Sequence, residues 1–326
     1  AFVQRCWQEE EVPAELVKGM FVPLWKHKGS KDDMSKYRFV CLLNHAYKLL
    51  SLSVLHRVVQ ETESGMPESQ AGFRPERGCR DNIFILAAVF DFCMASDTRV
   101  CVDFLDLVAA FDTISHSFLD EAMGEQGASV KSRAMVRAIY QKATAAVRVS
   151  TALGAKVLSR SFNIGRGVLQ GDGLSPRLFI IATASIMQRH DPAGGGVTIG
   201  DLVIDRLEYA DDAALIDIII AKASERITSL DRGFKEDAAM EISAPKTKCM
   251  LVQRQEAVEL SQADLARAAE KGLLPFQCEF CAERFATPVT MAHLMRCPAA
   301  NRGVYNGGQE YEVEAILDAK GDPDHR

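Results

Sequence analysis

The stretch Glu208-Tyr209-Ala210-Asp211-Asp212-Ala213-Ala214 sets two adjacent aspartates between apolar segments. Ahead of it, Leu202-Val203-Ile204-Asp205-Arg206-Leu207 alternates, and behind it Ala213-Ala214-Leu215-Ile216 is apolar. That pattern predicts a β-hairpin with the acidic pair at its tip. Neighbouring carboxylates repel, so a fold that holds two of them at a tight turn supplies a cation or leaves the pair in water. A divalent-metal site and a solvated turn are both open at this point, and the remainder of the chain decides between them.

A third carboxylate stands far upstream. Arg99-Val100-Cys101-Val102-Asp103-Phe104-Leu105-Asp106-Leu107 alternates like a strand with Asp106 at its end. Aspartate has low strand propensity, and packing explains it poorly there. It makes sense if Asp106 faces the Asp211-Asp212 turn from a neighbouring strand. Ala109-Ala110-Phe111-Asp112 follows as a turn, then a helix from about Ser117 to Glu125 that stops near Gly124 or Gly127.

Before these, Phe21-Val22-Pro23-Leu24 reads as a strand, and Lys26-His27-Lys28-Gly29-Ser30-Lys31 as a basic turn. Tyr37-Arg38-Phe39-Val40-Cys41 continues it, and a helix is expected over Ala46–Val59 with Leu49, Leu52, Leu55 and Val59 on one face. These cations could grip a triphosphate or belong to a solvated loop. Gln70-Ala71-Gly72-Phe73-Arg74-Pro75 punctuates the chain before a helix through Ile83, Leu86, Ala87 and Phe90, which Asp81 can cap. Arginines on a rigid turn suit phosphate backbones.

After two β-like stretches, Ala146–Thr151 and Lys156–Ile164, comes Gly165-Arg166-Gly167-Val168-Leu169-Gln170-Gly171-Asp172-Gly173-Leu174-Ser175-Pro176. Its glycines permit close backbone approach, to phosphate or to protein. Ser175 and Pro176 then start a helix with Phe179, Ala182, Ile186 and Met187 on one face. Ala223, Ile227, Leu230, Phe234 and Ala238 define a later helix face, and Lys246-Thr247-Lys248-Cys249-Met250-Leu251-Val252 a closing strand.

The chain has 326 residues, 48% apolar and 25% charged, within the range of soluble globular proteins. No apolar run reaches the roughly 18 residues of a membrane span, and no charged-then-apolar leader points to secretion. The chain opens at Ala1 within a helical pattern, so it is expected to be a piece of a longer, intracellular protein. A net charge of −6 argues against a polyanion partner, yet Lys18 to Arg57 holds eight basic and two acidic residues. Of nine cysteines, Cys6, Cys41, Cys79, Cys93, Cys101 and Cys249 are scattered, as free thiols of a reducing compartment would be.

In order, Gln70–Pro75, Phe104-Leu105-Asp106-Leu107 with Ala109–Asp112, Gly167–Asp172 with Leu174-Ser175-Pro176, Tyr209-Ala210-Asp211-Asp212, and Lys246-Thr247-Lys248 resemble the reverse transcriptase domain of non-LTR retrotransposons. The likeness spans Phe21 to Val252. It implies an α+β right-hand polymerase fold, fingers (mainly 18–98) and palm, whose antiparallel palm sheet packs on helices. The implied domains are 1–252, a short helical linker or thumb remnant over 253–275, a small zinc finger over 276–300 and an acidic tail over 301–326.

By the resemblance, Asp106, Asp211 and Asp212 hold two Mg²⁺ ions for nucleotidyl transfer, with Asp103 an ordinary strand residue. Asp106 is preferred because the family spaces its first aspartate six residues before the Asp of Ala-Phe-Asp, as Asp106 stands before Asp112. Phe111 is implied as the aromatic that crowds a ribose 2′-hydroxyl. Gln170 and the Gly171-Asp172 turn are implied to contact nucleotide and template, Lys26, Lys28, Arg38 and Arg74 to bind phosphates, and Lys246 to sit near the leaving pyrophosphate. The implied partners are an RNA template, a DNA primer and deoxynucleoside triphosphates, in the nucleus if the host is eukaryotic. A group II intron type of reverse transcriptase shares Gly-Phe-Arg-Pro and Tyr-Ala-Asp-Asp, but Asp172 and Ala109–Asp112 argue against it. A catalytically decayed fragment that only binds nucleic acid is the alternative from another class.

Near the C-terminus, Cys278-Glu279-Phe280-Cys281 and His293-Leu294-Met295-Arg296-Cys297 have the spacing of a tetrahedral zinc site. So short a segment cannot fold on apolar burial alone, so one structural Zn²⁺ is expected there.

Overall fold

The computed structural model describes residues 2–150, 155–191 and 195–253 and the strands at 276–277 and 284–285. The chain divides into two compact units, Ala1–Gln253 and Arg254–Arg326. In chain order the first unit holds α1 (Phe2–Glu9), β1 (Lys18–Trp25), β2 (Tyr37–Leu42), α2 (His45–Thr62), α3 (Cys79–Ala95), β3 (Val100–Leu105), α4 (Ala110–Thr113), α5 (His116–Glu125) and α6 (Val130–Lys142). There follow β4 (Thr144–Ser150), β5 (Lys156–Leu158), β6 (Phe162–Asn163), α7 (Ser175–His190), β7 (Val197–Ile199), β8 (Leu202–Ile204), β9 (Arg206–Tyr209), β10 (Asp212–Asp217), α8 (Ile220–Glu236) and β11 (Lys248–Val252).

One sheet carries the acids. Its order is β11-β3-β10-β9, antiparallel throughout. Alternation gives the sheet two faces. Val100, Val102, Ala214 and Ile216 pack with Val89, Phe90 and Cys93 of α3. Leu105 and Leu215 belong instead to the larger core with Leu230 and Phe234 of α8. A second sheet, β2-β1-β4-β5 with β6 also on β4, combines an antiparallel β1–β2 pair with a parallel β1–β4 pair. Against α5, α8 and α2 packs α7, buried from Arg177 to Met187. A helix so enclosed has no polar face, and the one-faced pattern expected for it understated its burial.

Three expectations need correction. The alternating stretch Leu202–Leu207 is two strands, because Leu202–Ile204 turns back on Val197–Ile199 and only Arg206–Tyr209 pairs with β10. The buried face of α2 is Tyr47, Leu50, Val54 and Val58, while Leu49 and Leu52 are 64% and 51% exposed. Both faces of that helix carry leucines, so periodicity alone could not choose. Asp81 lies in the first turn of α3 and accepts from the Gly78 N–H at 2.8 Å, with Gly78 at the cap itself.

In the second unit the described residues are two strands, β12 (Phe276–Gln277) and β13 (Arg284–Phe285), paired antiparallel. Cys278, Cys281, His293 and Cys297 lie outside the described residues, as do the expected linker and tail.

Candidate active site

The tip of the β9–β10 hairpin is a two-residue turn made by Ala210 and Asp211, since Tyr209 pairs with Asp212. The acidic pair therefore straddles the turn and the first position of β10. Ala210 has φ +59°, the left-handed region that a residue with a Cβ enters only under constraint. The constraint comes from Gln70. Its Oε1 accepts from the Ala210 N–H at 2.9 Å and from the Gly72 N–H at 2.9 Å, and its Nε2 donates to the Ala210 carbonyl at 3.4 Å.

The same segment edges the sheet. Gln70 forms a parallel bridge with Glu208, with Ala71 N–H on the Glu208 carbonyl and Glu208 N–H on the Ser69 carbonyl, each at 2.8 Å. Glu208 itself is buried, which raises its carboxyl, while Arg206 and the Ser69 hydroxyl oppose the rise. The sequence showed the Gln-Ala-Gly motif but not this brace, whose partners stand 140 residues apart.

The strand register brings in the third acid. Leu105 pairs with Ala213, so the next step along β3 sets Asp106 beside Asp212. Its main chain is pinned by the Ser243 N–H on the Asp106 carbonyl at 2.7 Å. The Ser243 carbonyl then accepts from the Lys246 N–H at 3.0 Å. That turn delivers the Lys246 ammonium to Asp106 Oδ1 at 2.7 Å.

Asp211 feels this company. Its carboxyl is raised above its ordinary value, first by desolvation at the turn and then by the Asp106 charge, while its own backbone N–H, Lys246 and Arg38 pull it down. Asp106 and Asp211 repel each other and Lys246 answers Asp106; hard carboxylate oxygens of this kind suit Mg²⁺.

The rest of the floor comes from α4 and the loop before α7. Phe111 stacks on Phe179 of α7, ring centroids 4.3 Å apart, and its carbonyl accepts from the Val168 N–H at 2.7 Å. Gly167 has φ +79°, and a Cβ there would meet the Asp112 carbonyl oxygen at 2.6 Å. Asp112 accepts from Gln170 Nε2 at 3.5 Å. Its carboxyl is raised by burial against the opposing pull of Lys26. The Gln170 carbonyl accepts from the Cys41 N–H at 2.6 Å, which fixes this loop to the end of β2. Gly171, at φ +111°, has no room for a Cβ beside the Cys41 carbonyl oxygen.

Arg38, on β2, is exposed and acts on Asp211 through its charge. Lys26 and Lys28 are exposed in the loop after β1, where Lys26 Nζ donates to the Ser35 carbonyl at 3.2 Å.

Two residues expected to meet substrate have their polar groups taken up by protein partners. Arg74 is buried, with Nε on Glu63 Oε1 at 2.8 Å and a second nitrogen on the carbonyls of Pro67 at 2.7 Å and Gln70 at 3.0 Å. Its donors hold the loop that carries Gln70, so it braces the fold where a phosphate contact was expected. Asp172 is likewise buried and accepts from the Tyr47 hydroxyl at 2.6 Å, tying the Gly-Asp turn to α2.

The family profile for "Reverse transcriptase (RNA-dependent DNA polymerase)" matches residues 26–273. The chain belongs to the reverse transcriptase family. It is 26% identical over 196 residues to the Pol polyprotein of the type-2 retrotransposable element R2DM of Drosophila melanogaster, covering 57% of this chain and 18% of that protein. To the Pol polyprotein of the type-1 element R2 of Popillia japonica it is 27% identical over 217 residues, 66% of this chain and 30% of the other. This reverse transcriptase chain thus spans less than a third of either relative's length.

Among solved structures it is similar to an apo telomerase from Candida tropicalis truncated of its C-terminal domain, with TM-score 0.53 and 15% identity, covering 76% of this chain and 52% of that one. It is also similar to a telomerase from the same organism in complex with a TWJ fragment of telomeric RNA, with TM-score 0.50 and 14% identity, over 79% and 45%. The fold is the right-hand polymerase fold, α+β with the sheet packed on helices. Among the described residues no helix is long and apolar enough to cross a membrane.

Proposed function

We propose that this chain is the polymerase part of an R2-like non-LTR retrotransposon protein and copies RNA into DNA. The observation that carries the reading is the register that sets Asp106 beside the Asp211-Asp212 turn, with Lys246 and Arg38 at its border. Asp106, Asp211 and Asp212 would hold two Mg²⁺ ions. When bound, such ions activate a primer 3′-hydroxyl and neutralise the departing pyrophosphate.

The residues of the chain do the rest. The 3′-hydroxyl gives its proton to solvent water, its oxygen bonds to the α-phosphorus, the bond from that phosphorus to the oxygen bridging the β-phosphate breaks, and pyrophosphate leaves. Lys246 gives up Asp106 and offers its charge to the leaving group. Arg38, Lys26 and Lys28 draw in the triphosphate, Gln170 and Gly171 border the base pair, and the Phe111 ring, fixed by Phe179, excludes a ribose 2′-hydroxyl.

For the second unit we propose one structural Zn²⁺ on Cys278, Cys281, His293 and Cys297. Their spacing supports it, as does the β12–β13 hairpin, whose strands flank the first two cysteines in sequence. The partners are then an RNA template, a DNA primer and deoxynucleotides, met in the nucleus if the host is eukaryotic.

The test is primer extension on an RNA template with deoxynucleotides and Mg²⁺. The parent should extend and Asp211→Ala should fall to background with RNA binding retained. A parent that binds RNA in a salt-sensitive way but never extends would make the chain a decayed binding remnant.

A further inference from the structure

We infer that Cys101, Asp103 and Cys249 form a site for one thiophilic divalent cation of the zinc class, separate from the catalytic carboxylates. Asp103 opposes Cys249 directly across β3 and β11, and Cys101 lies two residues along the same face. One oxygen of Asp103 and the two sulfurs all lie within 4.8 Å of one another.

Asp103 makes the case. It sits in the middle of β3 with 3% exposure. Buried carboxylates are normally met by a cation or by good hydrogen-bond donors. Among the described residues no basic group pairs with it; its partners are thiols, Cys101 Sγ at 3.8 Å from Oδ2 and Cys249. Two thiols converging on an uncompensated acid are a poor hydrogen-bond network but a good ligand set.

Spacing agrees. Cys101 Sγ and Cys249 Sγ are 3.1 Å apart. A tetrahedral zinc ion asks for roughly 3.8 Å between sulfurs and roughly 3.6 Å between sulfur and oxygen, from bond lengths near 2.3 and 2.1 Å. The sulfurs need to part by about 0.7 Å, and Asp103 Oδ2 already stands 3.8 Å from Cys101 Sγ. A disulfide asks for the opposite movement, down to roughly 2.05 Å, between diagonal strand positions whose separation is at the upper limit for such a bond.

Access is also present. Cys249 is exposed and, among the described residues, β11 is an edge strand, which leaves the fourth ligand position open to water. Binding would release both thiol protons to solvent and leave two thiolates, one carboxylate and a water on the ion. The ion would strap β11 to β3, and these strands lead to Lys246 and Asp106.

The experiment uses the full chain carrying Cys278→Ser, Cys281→Ser and Cys297→Ser, so that the C-terminal cysteines do not contribute, with Co²⁺ as the probe. A thiolate-to-cobalt charge-transfer band should saturate at one equivalent, vanish in Cys249→Ser, and need at least about tenfold more metal in Asp103→Asn. No band, or a band that survives Cys249→Ser at full intensity in a folded chain, overturns the site. So does a Cys101–Cys249 disulfide that forms without any cobalt band. If Asp103→Asn fails to fold, the same background without it decides: Zn²⁺ should slow alkylation of Cys249 at least about tenfold and a chelator restore it. An unchanged alkylation rate refutes the proposal.

Discussion

Gly72→Ala is the sharpest probe of the catalytic turn, because it touches no acid and no substrate. A Cβ at position 72 would lie 2.3 Å from the Ala210 nitrogen and 3.0 Å from its Cα. Backbone cannot swing aside as a long side chain can. With ordinary contact near 3.5 Å, one of the two segments must retreat by about 1 Å. Asp211 follows Ala210 directly, so the retreat is transmitted to a carboxylate proposed to hold a metal ion.

A misplacement of about 1 Å at a reacting centre costs on the order of 100-fold in rate, about 2.7 kcal/mol of barrier. Overpacking of this kind also costs about 1–3 kcal/mol of stability, which shifts Tm by about 2–4 °C per kcal/mol in a unit of this size. The φ of Gly72 lies outside the left-handed region, so alanine tests space there and not backbone strain. The assay is primer extension with a deoxynucleotide titration, beside thermal unfolding and RNA binding. The rate at saturation should fall about 100-fold with KM within about threefold and RNA binding intact. A folded Gly72→Ala chain that extends within about threefold of the parent rate refutes the brace.

The other expectations concern charge, shape and the ion pairs. Folding raises the Asp211 carboxyl above its ordinary 3.8, so its stabilising share is complete below that pH and lost as pH rises through the folded value. Without metal, Asp211→Asn should therefore gain Tm relative to the parent as pH climbs from 4 toward 7; parallel curves would count against the desolvation of Asp211 and its repulsion from Asp106. Lys246→Ala removes the ammonium at 2.7 Å from Asp106 and should lower the rate at saturation more than template affinity, read by extension and by RNA binding. Phe111→Val should admit ribonucleotides, cutting discrimination by about 10–200-fold in competing extension assays, as for a lost steric contact. Arg74→Ala should cost about 2 kcal/mol through the broken contacts to Glu63, Pro67 and Gln70, with the salt slope of RNA binding unchanged.

Local chemistry was readable from the chain alone. Ser115 caps α5, and the helix expected from about Ser117 begins at His116. Ala223, Leu230, Phe234 and Ala238 are buried as their spacing required. The acidic hairpin was legible from its tight acidic turn and the apolar run after it, while the alternation ahead of it was shared between two strands of which only Arg206–Tyr209 joins the hairpin.

Contacts between distant segments were not. Which face of α2 goes inward depended on what lies beneath it, and its leucines offer both. Arg74 looked like a phosphate ligand until Glu63 and two carbonyls claimed its donors. Asp103, expected as an ordinary strand residue, stands opposite Cys249 of β11, a pairing that its own strand could not announce. The brace of Gln70 on Ala210 could not be seen either. Sequence fixes which groups a residue carries and the period with which they repeat; only packing decides where they point, and for these residues direction is what separates a buried brace from a ligand.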